Sequence, residues 1–152
     1  MFQLIAPLSG ELIPLSKVPD KVFASKMAGE GIAIDSTDDI VVAPADGYLA
    51  LILEGNHAFC MKLDNGILII VHIGIDTVEL KGEGFERLTQ DGVRVKVGEP
   101  IIKLDRNKIL EKGYSLITPV LITNMDLVSQ INCTILIKAE AGKDVIMSYK
   151  IS

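Results

Sequence analysis

Ala58-Phe59-Cys60-Met61-Lys62-Leu63-Asp64-Asn65-Gly66-Ile67-Leu68-Ile69-Ile70-Val71-His72-Ile73-Gly74 is the stretch on which the fold turns. Two apolar runs flank Asn65-Gly66. Asn-Gly is the strongest two-residue hairpin signal, because a type I′ turn needs φ > 0 at both central positions. Such a turn sets Asp64 opposite Ile67, Phe59 opposite His72 and His57 opposite Gly74. Residues two apart on a strand face the same side. The register therefore predicts His57 and His72 as diagonal neighbours on one face, about 7–8 Å apart at the backbone and with rings able to converge. A three-residue loop with a bulge would shift it. Leu68, Ile70 and Gly74 share the His72 side, whereas Ile67, Ile69, Val71 and Ile73 face the other. The strand is thus expected to be covered on both faces, with Gly74 leaving open space beside the rings.

Outward from this hairpin the same texture continues. The chain has 13 glycines and 6 prolines at short intervals, with Ile, Val and Leu between them. That is the pattern of many short strands joined by turns. Strands are expected at Phe2–Ile5, Glu11–Pro14, Gly31–Asp35, Asp39–Val42, Gly47–Leu53, Ala58–Leu63, Ile67–Ile73, Gly98–Leu104, Val120–Thr123, Thr134–Lys138 and Asp144–Ile151. Helical periodicity is weak. Asp20–Met27 suits one or two turns, and Asn107–Lys112 another, capped by Asp105 or Asn107 and stopped by Gly113. The fold expected is all-β, a sandwich or barrel with short helical turns. No Ser/Gly-rich linker or charge run divides the chain, so residues 1–152 read as a single domain. A weak repeat relates Ala6-Pro7-Leu8-Ser9-Gly10-Glu11-Leu12 to Ala43-Pro44-Ala45-Asp46-Gly47-Tyr48-Leu49, and Gly92-Val93-Arg94-Val95-Lys96-Val97-Gly98 is a third turn–strand–turn unit. Such corners suit a pseudo-symmetric β structure.

Hydrophobic residues make up 49% of the chain, yet no apolar run approaches the ~18 positions of a transmembrane helix. Met1-Phe2-Gln3-Leu4 lacks the basic flank of a secretory signal. The two cysteines, Cys60 and Cys133, sit in apolar stretches and read as reduced core residues of a cytoplasmic protein. A net charge of −5 with no Lys/Arg cluster argues against nucleic acid. The same acidity suits a basic protein partner.

His57 and His72 are the only histidines. Rings in an apolar depression are held neutral by desolvation, and a neutral imidazole has one nucleophilic nitrogen. Two other readings stand beside this one: hydrogen-bonded structural histidines, or a zinc at a protein interface. Two His are too few for a structural zinc site, so a partner carboxylate would have to help complete it. Gly82-Glu83-Gly84 lacks the third glycine and the helix of a nucleotide fingerprint, and no Gly-x-Ser-x-Gly occurs. An ATP-dependent kinase and a serine hydrolase both lack support.

Asn56-His57-Ala58-Phe59 and Val71-His72-Ile73-Gly74-Ile75-Asp76-Thr77-Val78-Glu79-Leu80-Lys81-Gly82-Glu83-Gly84-Phe85 resemble the glucose-type enzyme IIA family of the bacterial phosphoenolpyruvate–sugar phosphotransferase system. The likeness runs from Ile5-Ala6-Pro7-Leu8-Ser9-Gly10-Glu11 to the last strand, with support from Val18–Phe23, Ile117-Thr118-Pro119-Val120 and Thr123-Asn124-Met125. The resemblance implies an antiparallel β-sandwich and a cytoplasmic phosphoryl carrier. His72 would accept phosphate on Nε2 from the histidine phosphocarrier protein HPr and pass it to a cysteine of the IIB domain of a sugar permease. His57 would support the phosphate, and the Gly74 carbonyl would hold Nδ1 of His72. Asp20 and Asp76 match acidic rim positions, while Val22, Phe23, Met27, Phe59 and Val78 would form an apolar docking patch. No cofactor is implied as required; a zinc on His57 and His72 would arise only at an interface. The alternative is a regulatory binding module for permeases or kinases whose partner choice follows phosphorylation. Two departures stand out. Gly55 occupies a position where the family commonly has Thr. The chain also starts almost at its first strand, so membrane association through an amphipathic N-terminal extension is not expected.

Overall fold

The computed structural model describes residues 1–134 and 136–152. Its strands are β1 (Phe2–Ile5), β2 (Gly10–Pro14), β3 (Glu30–Ser36), β4 (Ile40–Val42), β5 (Gly47–Ile52), β6 (Ala58–Lys62), β7 (Leu68–His72), β8 (Phe85–Arg87), β9 (Val93–Val95), β10 (Pro100–Leu104), β11 (Ile117–Ile122), β12 (Val128–Cys133), β13 (Lys138–Ala139) and β14 (Val145–Ile151). Two short helices, α1 (Lys21–Ala24) and α2 (Arg106–Glu111), and three 3-10 turns complete it. One sheet has the order β13-β2-β3-β11-β7-β6-β5-β9; two three-stranded sheets have the orders β1-β14-β12 and β4-β10-β8. Every pairing is antiparallel. The result is an antiparallel β-sandwich.

Alternation along the central hairpin decides what each face does. Phe59, Met61, Ile69 and Val71 enter the main core beside Leu4, Ile34, Leu49, Ile101, Ile146 and Tyr149. On the opposite face, Leu15, Val18, Phe23, Ala33, Ile75 and Leu121 form a smaller cluster, to which the 3-10 turn Leu15–Lys17 and α1 contribute. His72 ends β7 on this second face, opposite Ala58.

The hairpin register differs by one residue from the expected one. Ala58 pairs with His72 and Lys62 with Leu68. Leu63 N–H donates to the Ile67 carbonyl and Gly66 N–H to the Leu63 carbonyl, leaving a three-residue loop of Asp64, Asn65 and Gly66. Only Gly66 is left-handed, at φ 89°, so the turn is not type I′. Asn65 is held by its side chain: Oδ1 accepts from Ile67 N–H, and Nδ2 donates to the Tyr149 hydroxyl. A residue 84 positions away thus contributes to the turn type.

The two proline corners interlock. Ile5 N–H donates to the Pro44 carbonyl and Val42 N–H to the Pro7 carbonyl, a reciprocal exchange between the repeats. Ala6 exchanges bonds with Asp144 and Gly142, as Ala43 does with Glu99 and Gly98. The repeat is therefore a local pseudo-two-fold.

Other boundaries depart from expectation. The strand expected at Thr134–Lys138 spans residue 135, outside the described residues; ladders form instead at β12 and β13. β12 is a half-exposed edge paired to β14, so its sequence lacks the apolar run expected of a buried strand. β8 is only three residues long and exists through its pairing with β10. α1 is capped by Asp20, whose carboxylate accepts from Val22 N–H at 2.9 Å, and α2 by Asp105. Neither cysteine lies in the core: Cys60 is half-buried and Cys133 exposed, and both are free.

Candidate functional site

His72 is the better anchored of the two histidines. Its Nδ1 lies 2.8 Å from the Gly74 carbonyl. A carbonyl only accepts, so Nδ1–H donates and Nε2 keeps its lone pair. The tautomer follows from the partner, not from sight of a proton.

Gly74 makes this possible through its backbone. Its φ is 83°, and an added Cβ would meet Thr77 Cγ2 at 2.5 Å and the Ser115 carbonyl at 2.7 Å. The open space expected beside the rings is absent; the glycine instead permits two loops to close on each other. Thr77 Oγ1 donates to the Ile73 carbonyl, and Ile75 N–H to the Ser115 carbonyl, fixing the segment that carries the acceptor oxygen.

His57 reaches the same place by another route. In the observed register it precedes β6, and its carbonyl accepts from Ile73 N–H at 2.7 Å. Pleat alternation alone would send its side chain to the core face, away from His72. Gly55 at φ 91° and Asn56 at φ 63° are both left-handed just before it, so the chain enters the strand from a tight turn. The His57 and His72 ring centroids are 5.2 Å apart, edge to face at 75°. Convergence of the rings is real, but the register used to foresee it is not the cause. His57 is 4% exposed, and its Nδ1 has no hydrogen-bond partner among the described residues.

Both rings are held below the ordinary imidazole pKa. For His57 the main cause is burial, with repulsion from His72 adding to it and the Glu54 backbone opposing it. For His72 burial again dominates, opposed by the Gly74 carbonyl, Asp20 and Asp76. Neutral rings near pH 7 follow, with nucleophilic character at His72 Nε2.

The surroundings sort the other expected residues. Phe23 is buried and packs on His72 with centroids 5.1 Å apart. Val22, Met27 and Val78 are exposed, at 48%, 78% and 56%. Asp76 is exposed and Asp20 half-exposed. Phe59 is a correction: it is wholly buried, opposite Val71 on the core face, and cannot belong to a docking surface. Gly55 lies near His57, since a Cβ there would sit 3.5 Å from His57 Nδ1. Among the described residues no group of three or more His, Cys, Asp or Glu converges, so the pair alone offers two nitrogens, short of a zinc site.

Sequence reasoning missed Arg87. Its Nε donates to Asn56 Oδ1 at 2.6 Å, and its Nη2 to the Ile52 carbonyl at 3.2 Å. The partner lies 31 positions away, and no local motif announces it.

Residues 2–128 match the family described as phosphoenolpyruvate-dependent sugar phosphotransferase system, EIIA 1. The chain is 42% identical over 150 residues to the PTS system glucose-specific EIIA component of Haemophilus influenzae, covering 97% of this chain and 89% of that protein. It is 49% identical over 123 residues to the PTS system N-acetylglucosamine-specific EIICBA component of Klebsiella pneumoniae, and 44% identical over 124 residues to that of Escherichia coli. These alignments cover 81% and 82% of this chain but only 19% of each of those longer proteins. The solved glucose permease IIA from Mycoplasma capricolum superposes with a TM-score of 0.89 at 30% identity, over 96% of this chain and 94% of that one.

Proposed function

The chain belongs to the EIIA 1 family of the phosphoenolpyruvate-dependent sugar phosphotransferase system, and from that premise we propose that His72 is its phosphoryl-bearing residue. The observation that carries this reading is the His72 Nδ1–Gly74 contact at 2.8 Å, which leaves Nε2 as a free lone pair beside the His57 ring. In the first step, Nε2 attacks phosphorus of the phosphohistidine of HPr. The Nε2–P bond forms as the donor's P–N bond breaks, and that electron pair returns to the donor's imidazole. Positive charge developing on the His72 ring is met by the Gly74 carbonyl at Nδ1–H. In the second step, a cysteine thiolate of a IIB domain attacks phosphorus, and the Nε2 lone pair is restored. His57 steadies the phosphoryl oxygens. Rates then depend on in-line positioning and fixed electrostatics, and the relay as written uses no metal or organic cofactor.

Exposed Val22, Met27 and Val78 beside Asp20 and Asp76 supply an apolar patch with an acidic rim, which suits a basic carrier surface. The same patch supports a regulatory role toward permeases or kinases, because a phosphate would add about −1.5 to −2 charges beside it. Among the described residues no helix is long and apolar enough to cross a membrane. We place the relay in the cytoplasm.

Incubation with phosphoenolpyruvate, enzyme I and HPr tests the reading. Wild type gains acid-labile phosphate, and His72→Ala gains none. Phosphate missing from wild type, or retained by His72→Ala, rejects it. His57→Gln accepts phosphate at His72 but passes it to the IIB domain poorly; normal onward transfer would remove His57 from the mechanism.

A further inference from the structure

His57 has a positional problem that His72 does not. The His72 ring is tied by its own hydrogen bond, whereas His57 Nδ1 is buried without a partner among the described residues. With Nδ1 unpartnered, the ring's direction follows the backbone path through Glu54, Gly55 and Asn56, where the Glu54 backbone is its polar neighbour besides His72. That path is left-handed at two consecutive residues, and for Asn such a conformation costs free energy unless its surroundings hold it.

The holding contacts come from β8. Arg87 Nε donates to Asn56 Oδ1 at 2.6 Å, and a second guanidinium nitrogen donates to the Ile52 carbonyl at 3.2 Å. Asp91 completes the arrangement: its Oδ2 accepts from Ile52 N–H at 2.9 Å and lies 4.0 Å from the Arg87 guanidinium. The two ends of the turn, Ile52 and Asn56, are thus gripped by one planar fork. A guanidinium suits this because its donors are fixed in direction, unlike those of a lysine ammonium.

We propose that Arg87 is the positioning residue for His57, clamping the left-handed turn at Asn56 so that the second ring faces the phosphoryl-bearing one. This rests on the carrier reading above. It divides the relay: acceptance depends on His72 and its own tether, whereas onward transfer depends on His57 and therefore on Arg87.

Arg87→Met and Asn56→Gly remove opposite ends of the clamp, and Asn56→Gly keeps a residue at ease with positive φ. Each is measured for His72 phosphorylation by phospho-HPr, for transfer to the IIB domain, and for the ring NMR signals of both histidines. Expected is onward transfer slowed about tenfold, well inside the roughly hundredfold that a 1 Å misplacement can cost. Acceptance stays near wild type, His57 ring signals move and His72 signals stay. The double variant behaves like Arg87→Met alone, because the Arg87–Asn56 bond is already lost there together with the bond to Ile52. Arg87→Lys recovers little. Unmoved His57 signals with wild-type transfer in both single variants overturn the proposal. So does equal loss of acceptance and transfer with displaced His72 signals, which marks a general structural role. If Arg87→Met fails to fold, Asn56→Gly alone decides between these outcomes. Failure of wild type to accept any phosphate would reject the carrier reading, yet the His57 ring signals would still test the clamp.

Discussion

At the scale of single residues, two adjacent imidazoles carry different constraints. His72 has a carbonyl fixing its tautomer; His57 has burial and a neighbouring ring. Both pKa values fall below the ordinary 6.5, chiefly by desolvation. An NMR pH titration should therefore show both midpoints below 6.5 in the folded protein. Because the unfolded chain binds these protons more readily, it takes them up first as pH falls. The stabilising contribution is complete above the unfolded value and is lost as pH drops through 6.5 toward the folded midpoints. Urea unfolding at about pH 7 and about pH 5.5 should accordingly show a smaller acid loss in a His57→Gln, His72→Ala double variant than in wild type. An equal loss in the two would refute it. Phosphate on His72 should then raise the His57 midpoint, because a nearby anion favours the imidazolium. The histidines were legible from sequence, since their chemistry is intrinsic to residue type. The Gly74 carbonyl tether came with the family resemblance, and the open space read from its missing side chain is absent. Asn56 and Arg87 were not legible, because their significance arises only where a turn meets a distant strand.

At the scale of elements, α1 shows how a short segment serves both stability and site. Asp20 caps it at Val22 N–H, Phe23 packs on His72, and the Asp20 charge also opposes the lowering of the His72 pKa. Asp20→Ala should cost about 1 kcal/mol through the lost cap. Asp20→Asn should keep most of that stability, yet shift the His72 midpoint further down by removing the anion. A midpoint unchanged in Asp20→Asn would show that this charge is not felt at the ring. The central hairpin teaches a related lesson. Its strands and its turn were plain in the sequence, but its register was not. Asn65-Gly66 is compatible with more than one loop length, and bonds from the Asn65 side chain to Ile67 and Tyr149 accompany the three-residue form.

At the scale of the whole molecule, one large sheet separates a main core from a smaller apolar cluster, and the site sits where β7 leaves the sheet on the smaller side. Phe59 belongs to the main core. Phe59→Ala should therefore lower stability by about 3–5 kcal/mol, seen as a lower urea midpoint, as for other buried aromatic truncations. Normal stability with weakened partner binding would return Phe59 to the surface role first assigned to it. Composition and alternation by themselves determined the all-β class, most strand positions, the two short helical stretches with Asp105 or Asn107 as the cap of the second, and the identity of the two histidines. These follow from local chemistry: turn residues, period-two apolarity and side-chain acceptors placed before helices. Only the tertiary structure decided the hairpin register, the burial of Phe59, the closure of Thr77 and Ser115 on Gly74, and the grip of Arg87 on the turn before His57. Each of those depends on atoms brought together from distant parts of the chain, and such contacts exist only once the sheets have packed.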